Sequence, residues 1–153
     1  MLDNSDLILV AGATGGVGQL VVAKLLDNNL PVRALTRNKN KAKQMFEDRV
    51  NIVVGDLRYP DTLTSAIENV THIICCTGTT AFPSQRWDFV NFFDAKNSPQ
   101  IVDGEGVKNL ILAATKNLKR FVFVSSSGVL RKDSLPFNIL NTFGVLDAHY
   151  LND

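Results

Sequence analysis

Short unbroken apolar runs alternate along the chain with longer stretches whose apolar positions recur at helical spacing. Leu7 to Ala11 reads LILVA, a run of strand length with no polar position. Such a run suits a parallel strand buried on both faces. A glycine-rich turn follows, then a helix predicted from Val17 to Asn28. There Leu20, Val21, Lys24 and Leu25 share one face, and Val22, Ala23 and Leu26 widen its apolar side. Asn28-Asn29 closes that helix and Pro31 opens a second strand, Val32 to Thr36. Asn38 is placed to cap a short helix reaching Phe46.

A third strand, Val50 to Val54, is closed by Gly55-Asp56, and Pro60-Asp61 opens a helix running to about Asn69. His72 to Cys76 is the fourth strand. About twenty residues of loop follow, from Thr77 to Pro99, carrying Phe82, Trp87, Phe89, Phe92 and Phe93. A loop of that length is functional or partly helical. A helix from about Gln100 to Asn117 leads to a fifth strand, Arg120 to Val124, which ends in Ser125-Ser126-Ser127-Gly128. Strands alternating with helices predict an α/β fold, a doubly wound parallel sheet with right-handed crossovers.

The turn after the first strand is the most informative stretch. Gly12, Gly15 and Gly18 stand in the spacing GxxGxxG, between a predicted strand and a predicted helix, the context such a motif requires. Gly12 permits the tight exit from the strand. Gly15 lets backbone approach a pyrophosphate, and Gly18 lets the helix pack closely. The helix start near Gly16 and Val17 then aims N–H groups at phosphates, with Thr14 between the glycines.

With VRALTR at 32–37, GDLRYPDTL at 55–63, VDGEGVKNLILAA at 102–114 and FVFVSSSGV at 121–129, this turn resembles the atypical, NmrA-like members of the short-chain dehydrogenase/reductase superfamily. The resemblance covers the chain from Leu7 to about Gly128 and implies a Rossmann domain binding a nicotinamide dinucleotide. It also implies that Asp56-Leu57 meets the adenine, the carboxylate accepting from the exocyclic amine. Thr77-Gly78 would pass the cofactor's ribose. Enzymes that prefer NAD place an acid about twenty residues beyond the glycines. Here the second strand ends Thr36-Arg37-Asn38, with no acid. A guanidinium pairs bidentately with a 2′-phosphate, and Thr36 and Lys41 add a hydrogen bond and charge. NADP is therefore expected over NAD. Arg33, earlier on the same strand face, reads as structural.

For hydride chemistry the family uses a serine after the fifth strand, then a tyrosine with a lysine four residues on. Ser127 matches the first and Tyr150 is the only later tyrosine, but its lysine would fall at 154. Two readings stand: an NADP-dependent oxidoreductase acting on a small carbonyl-type substrate, or a non-catalytic NADP-binding sensor, regulator or assembly factor with a protein partner. A third is the fold without a nucleotide. Other chemistries are disfavoured. His72 and His149 lack metal-ligand spacing with any cysteine, and there is neither a GxSxG elbow nor a P-loop lysine.

Length and composition narrow the picture further. The 153 residues suit one domain, taken as 1–153, and 45% hydrophobic with 20% charged positions is ordinary for a globular chain. A net charge of +1 carries no basic stripe of the kind nucleic-acid binders show. No apolar run approaches transmembrane length. Adjacent Cys75 and Cys76 form no disulfide framework, so a reducing compartment is expected, cytoplasm or an organelle's stroma or matrix. The polar start, Met1 to Asp6, resembles neither a signal peptide nor an Arg-rich transit peptide. Only some twenty-five residues follow Gly128, with no further strand evident, so the fold reads as truncated after the fifth strand. Its substrate region would lie beyond Asp153.

Overall fold

Val10 and Ala34 face one way from the sheet, Leu9, Ala11 and Leu35 the other, and each set is covered by its own pair of helices. The computed structural model describes residues 5–78, 100–114 and 117–125. Within it β1 (Ile8–Ala11), β2 (Val32–Thr36), β3 (Asn51–Val54), β4 (His72–Cys75) and β5 (Arg120–Phe123) form one parallel sheet, in the order β3-β2-β1-β4-β5. The register aligns Val10 with Ala34 on one side and with Ile74 on the other. β1 is central, all four of its side chains are buried, and its uninterrupted apolar run is the consequence.

The helices are α1 (Gly16–Asp27), α2 (Lys39–Phe46), the single turn α3 (Thr64–Ile67) and α4 (Gly106–Ala113). Val22, Ala42 and Phe46, from α1 and α2, pack with Val10, Val32 and Ala34. On the opposite face Leu63, Ala66, Ile67, Val107 and Leu110 pack with Leu9, Ala11, Leu35 and Ile73. This is the doubly wound α/β architecture of a Rossmann-like domain.

Two helices differ from the pattern-based expectation. The stretch from Pro60 to Asn69 is a 3₁₀ turn, Pro60–Thr62, followed by α3. The Thr62 hydroxyl donates to the carbonyl of Tyr59 at 2.7 Å and accepts from the amide of Asp56 at 2.9 Å, which pins this stretch to the β3 exit. At the far end Asn69 takes a left-handed φ of 59°, where a helix cannot continue. The segment from Gln100 begins as a wide π-helical turn, Gln100–Glu105, before narrowing into α4, which ends at Ala113 rather than Asn117. Ser127, Tyr150 and the aromatics Phe82, Trp87, Phe89, Phe92 and Phe93 lie outside the described residues.

Arg33 is structural, as expected. Its Nη1 donates to the carbonyls of Ser65, Ala66 and Glu68, at 2.6 Å for the last, and so caps the end of α3. At the amino ends of the strands, the buried carboxylate of Asp6 accepts from Lys119 Nζ at 2.7 Å. His72 Nδ1 lies 3.7 Å from the same oxygen and 2.9 Å from the Thr71 hydroxyl. These contacts tie the start of β4 to the residues that lead into β1 and β5.

Candidate dinucleotide site

In a parallel sheet every strand delivers its exit loop to the same rim. Between β1 and β4 the chain order reverses, and the two exit loops diverge around a crevice, where open α/β sheets take their ligands. Here that crevice is a cleft of about 850 Å³.

Its centre is the glycine turn. Gly12 has φ +73°, and a Cβ there would lie 2.9 Å from the backbone carbonyl of Cys76, so the strand exit needs both glycine's left-handed freedom and its missing side chain. The Gly15 amide closes the turn onto the Gly12 carbonyl at 2.9 Å, and Gln19 begins the helical ladder by bonding Gly15 O at 3.1 Å. Gly15 is the N-cap of α1 and brings no capping side chain, and the helix's first turn holds no acid. The positive end of the α1 dipole is thus left uncompensated by side chains and faces the cleft. A Cβ on Gly16 would meet nothing within 4 Å. Open space beside a bare helix start is what a pyrophosphate requires.

Gly12, Thr14, Gly15, Gly16 and Val17 line the cleft. Gly18 does not. It lies behind the wall, where any Cβ would run into the Gly12 carbonyl oxygen. Its place is the close packing of α1 against the turn.

The β2 exit forms the second wall. Thr36 is buried, and its hydroxyl accepts from the Asn38 amide at 3.1 Å, while Asn38 Oδ1 accepts from the Lys41 amide at 3.0 Å and caps α2. Arg37 stands between these two anchored residues with its side chain exposed on the cleft, and Lys41 lines the same wall. The β3 exit adds Asp56, Leu57 and Arg58. Arg58 was not singled out by the sequence pattern. Its Nε donates to both Asp56 oxygens, at 3.0 and 3.1 Å, and its Nη2 to the second. Burial pushes the Asp56 carboxyl up. The hydrogen bonds from Arg58 and the charges of Arg58 and Arg37 outweigh it and hold the carboxyl below its ordinary value. The same pairing raises Arg58. Thr77 and Gly78, from the β4 exit, also line the cleft, with Cys76, Val102, Val124 and Ser125 beside them.

Of the two cysteines, Cys75 is buried in the core on the α3 and α4 face, whereas Cys76, just past β4, packs against the α1 and α2 face and borders the cleft. Burial, with Cys75 adjacent, pushes the Cys76 thiol up to about 11. It is a neutral thiol at physiological pH and offers no thiolate nucleophile. The Cys75 Sγ lies 3.1 Å from the Thr77 hydroxyl, which holds the β4 exit in place. Among the described residues no three His, Cys, Asp or Glu side chains converge as a metal site, and no helix is long and apolar enough to cross a membrane.

A bare helix start, an open floor and a cationic wall fit a nicotinamide dinucleotide. Comparison with known proteins agrees. Residues 12–153 match the family model for NAD(P)H-binding domains. The chain belongs to this NAD(P)H-binding family. Within the short-chain dehydrogenase/reductase superfamily, this NAD(P)H-binding domain is of the atypical, NmrA-like kind. It is 33% identical over 162 residues to the protein TIC 62, chloroplastic, of Pisum sativum, covering 94% of this chain and 28% of that protein. It is 35% identical over 119 residues to the photosystem II assembly factor Ycf39 of Guillardia theta, covering 77% of this chain and 34% of the other. A solved structure from Bacillus halodurans, assigned as an NAD-dependent epimerase/dehydratase, superposes with a TM-score of 0.75 at 24% identity over 95% of this chain and 62% of that one, a likeness of fold. The chain thus spans about a third or less of the length of these two curated relatives.

Proposed function

We propose that this NAD(P)H-binding domain prefers NADP and works as a non-catalytic dinucleotide-binding module, a regulator or assembly factor that engages a protein partner. The observation that carries the cofactor preference is the β2 exit: Arg37 and Lys41 line the cleft where an NAD enzyme would present an acid. A carboxylate there would repel a 2′-phosphate, whereas a guanidinium pairs with it. The binding set is Gly12, Thr14, Gly15, Gly16, Val17, Thr36, Arg37, Asp56, Leu57, Thr77 and Gly78, with Gly18 in support. The named role of Ycf39 in photosystem II assembly supports the non-catalytic part, and the chloroplastic pea protein favours an organelle stroma over the cytoplasm.

When bound, the dinucleotide supplies a hydride acceptor or donor. The chain's own residues orient it. The α1 amides hold the diphosphate, the cations of the β2 exit select the adenosine end, and the β4 exit at Thr77-Gly78 passes the ribose. A second reading, hydride transfer to a carbonyl-type substrate, is favoured by Ser125 on the cleft rim, with Ser127 and Tyr150 as its proposed catalytic pair.

Calorimetry with NADPH and NADH, beside turnover assays with quinones, aldehydes and ketones, separates the two. Expected are tighter binding of NADPH and no turnover. Substrate-dependent NADPH oxidation would overturn the non-catalytic reading, and equal affinities would overturn the NADP preference. Arg37→Asp is expected to weaken NADPH binding by about 10-fold or more, the loss of one charge-assisted pair, while NADH binding changes far less.

A further inference from the structure

Asp56 stands where the family resemblance would have a carboxylate accept from adenine, yet in this structure the acid is already engaged. Its two oxygens accept from Arg58 Nε and Nη2 in a fork, and Oδ1 also accepts from the Arg58 amide at 3.0 Å. The pair is mostly buried, with side chains 18% and 17% exposed. A guanidinium held this way keeps one orientation before any ligand arrives, so little of its freedom remains to be lost on binding. Arg58 shares the cleft wall with Arg37 and Lys41, and the charge of Arg37 reaches Asp56. Three cations against one carboxylate leave this corner with a surplus of two positive charges. A phosphate monoester carries about −1.5 to −2 at neutral pH. The corner therefore matches a doubly charged phosphate, whereas a plain ribose hydroxyl leaves the surplus unanswered.

We infer that Arg58 is a second recognition residue for the 2′-phosphate of the dinucleotide, and that Asp56 is a positioning residue acting on the ligand through Arg58. The inference rests on the NADP reading above and deepens it. It assigns to Asp56 a task other than accepting from the adenine amine, and to Arg58 a task beyond closing the β3 exit.

The test uses two small probes on the whole chain, 2′,5′-ADP and 5′-AMP, which share the adenine and differ in the 2′-phosphate. Calorimetry gives the affinity ratio of the two for wild type, Arg58→Gln, Arg58→Lys, Asp56→Asn and the Asp56→Asn/Arg58→Gln double variant. Expected is a five- to tenfold fall in that ratio for Arg58→Gln, with 5′-AMP affinity kept. That kept affinity also reports an intact cleft. Arg58→Lys recovers part of the ratio through its charge. Asp56→Asn changes the ratio when Arg58 is present and leaves it unchanged on top of Arg58→Gln. If Arg58→Gln keeps the wild-type ratio, or loses both probes in equal measure, the inference is overturned while the NADP reading stands. If Asp56→Asn weakens both probes alike whether or not Arg58 is present, Asp56 is an adenine acceptor and its positioning role is overturned. A wild-type chain that binds the two probes equally overturns the NADP reading itself, and the inference with it.

Discussion

Gly12 shows how much one position can carry. With φ at +73° and the Cys76 carbonyl 2.9 Å from where a Cβ would sit, Gly12→Ala combines left-handed strain with a backbone clash. The strain alone costs about 1–2 kcal/mol, so urea unfolding of the variant is expected to show a loss of at least that size, and calorimetry a loss of dinucleotide binding. Asp56 makes a different contribution. Its folded-state carboxyl titrates below the ordinary value of 3.8 because Arg58 and Arg37 outweigh the effect of burial. The stability it adds is present above that ordinary value and is lost as pH falls through the folded-state value. Acid unfolding of Asp56→Asn should accordingly fall less steeply below pH 4 than that of wild type. At this scale the glycines and Arg37 were legible in the sequence, because their spacing from a strand end carries the chemistry. Arg58 was not. Its fork onto Asp56 depends on the turn at the β3 exit, and a separation of two residues in a loop has no periodicity to betray it.

Among the elements, α2 shows local chemistry deciding a boundary. Asn38 caps it by accepting from the Lys41 amide at 3.0 Å, and the helix begins at Lys39. Asn38→Ala is expected to cost about 1 kcal/mol in urea unfolding, with Asn38→Asp close to wild type. The strands were readable within one residue at each end, since continuous apolar runs have little else they can form once both faces are covered. The helices on the α3 and α4 face were less so. Pro60-Asp61 is a sound helix opening, but the Thr62 hydroxyl engages the β3 exit, and tertiary contacts then shorten the helix. The wide turn at Gln100–Glu105 precedes a Gly106 whose Cβ, if present, would stand 3.0 Å from the Leu57 Cβ. That close approach, with Asn109 Nδ2 donating to the Leu57 carbonyl at 2.9 Å, joins α4 to the β3 exit and sets where the helix starts. Helical periodicity cannot register a contact made across some fifty residues.

For the molecule as a whole, the doubly wound sheet and its crevice followed from the alternation of elements, whereas the lashing at the amino ends of the strands did not. Asp6, Lys119 and His72 are far apart in sequence and meet only when β1, β4 and β5 are in register. Lys119→Met takes the ammonium from a buried carboxylate. It is expected to lower stability by about 1–3 kcal/mol in urea unfolding, with part of that regained when Asp6→Asn is added. Since all five strands run the same way, this lashing and the dinucleotide cleft occupy opposite rims. One rim is a keel and the other a workbench. Natural variation can rewrite the workbench to suit another nucleotide or partner without loosening the keel, and this division lets one scaffold diversify while its strands stay aligned.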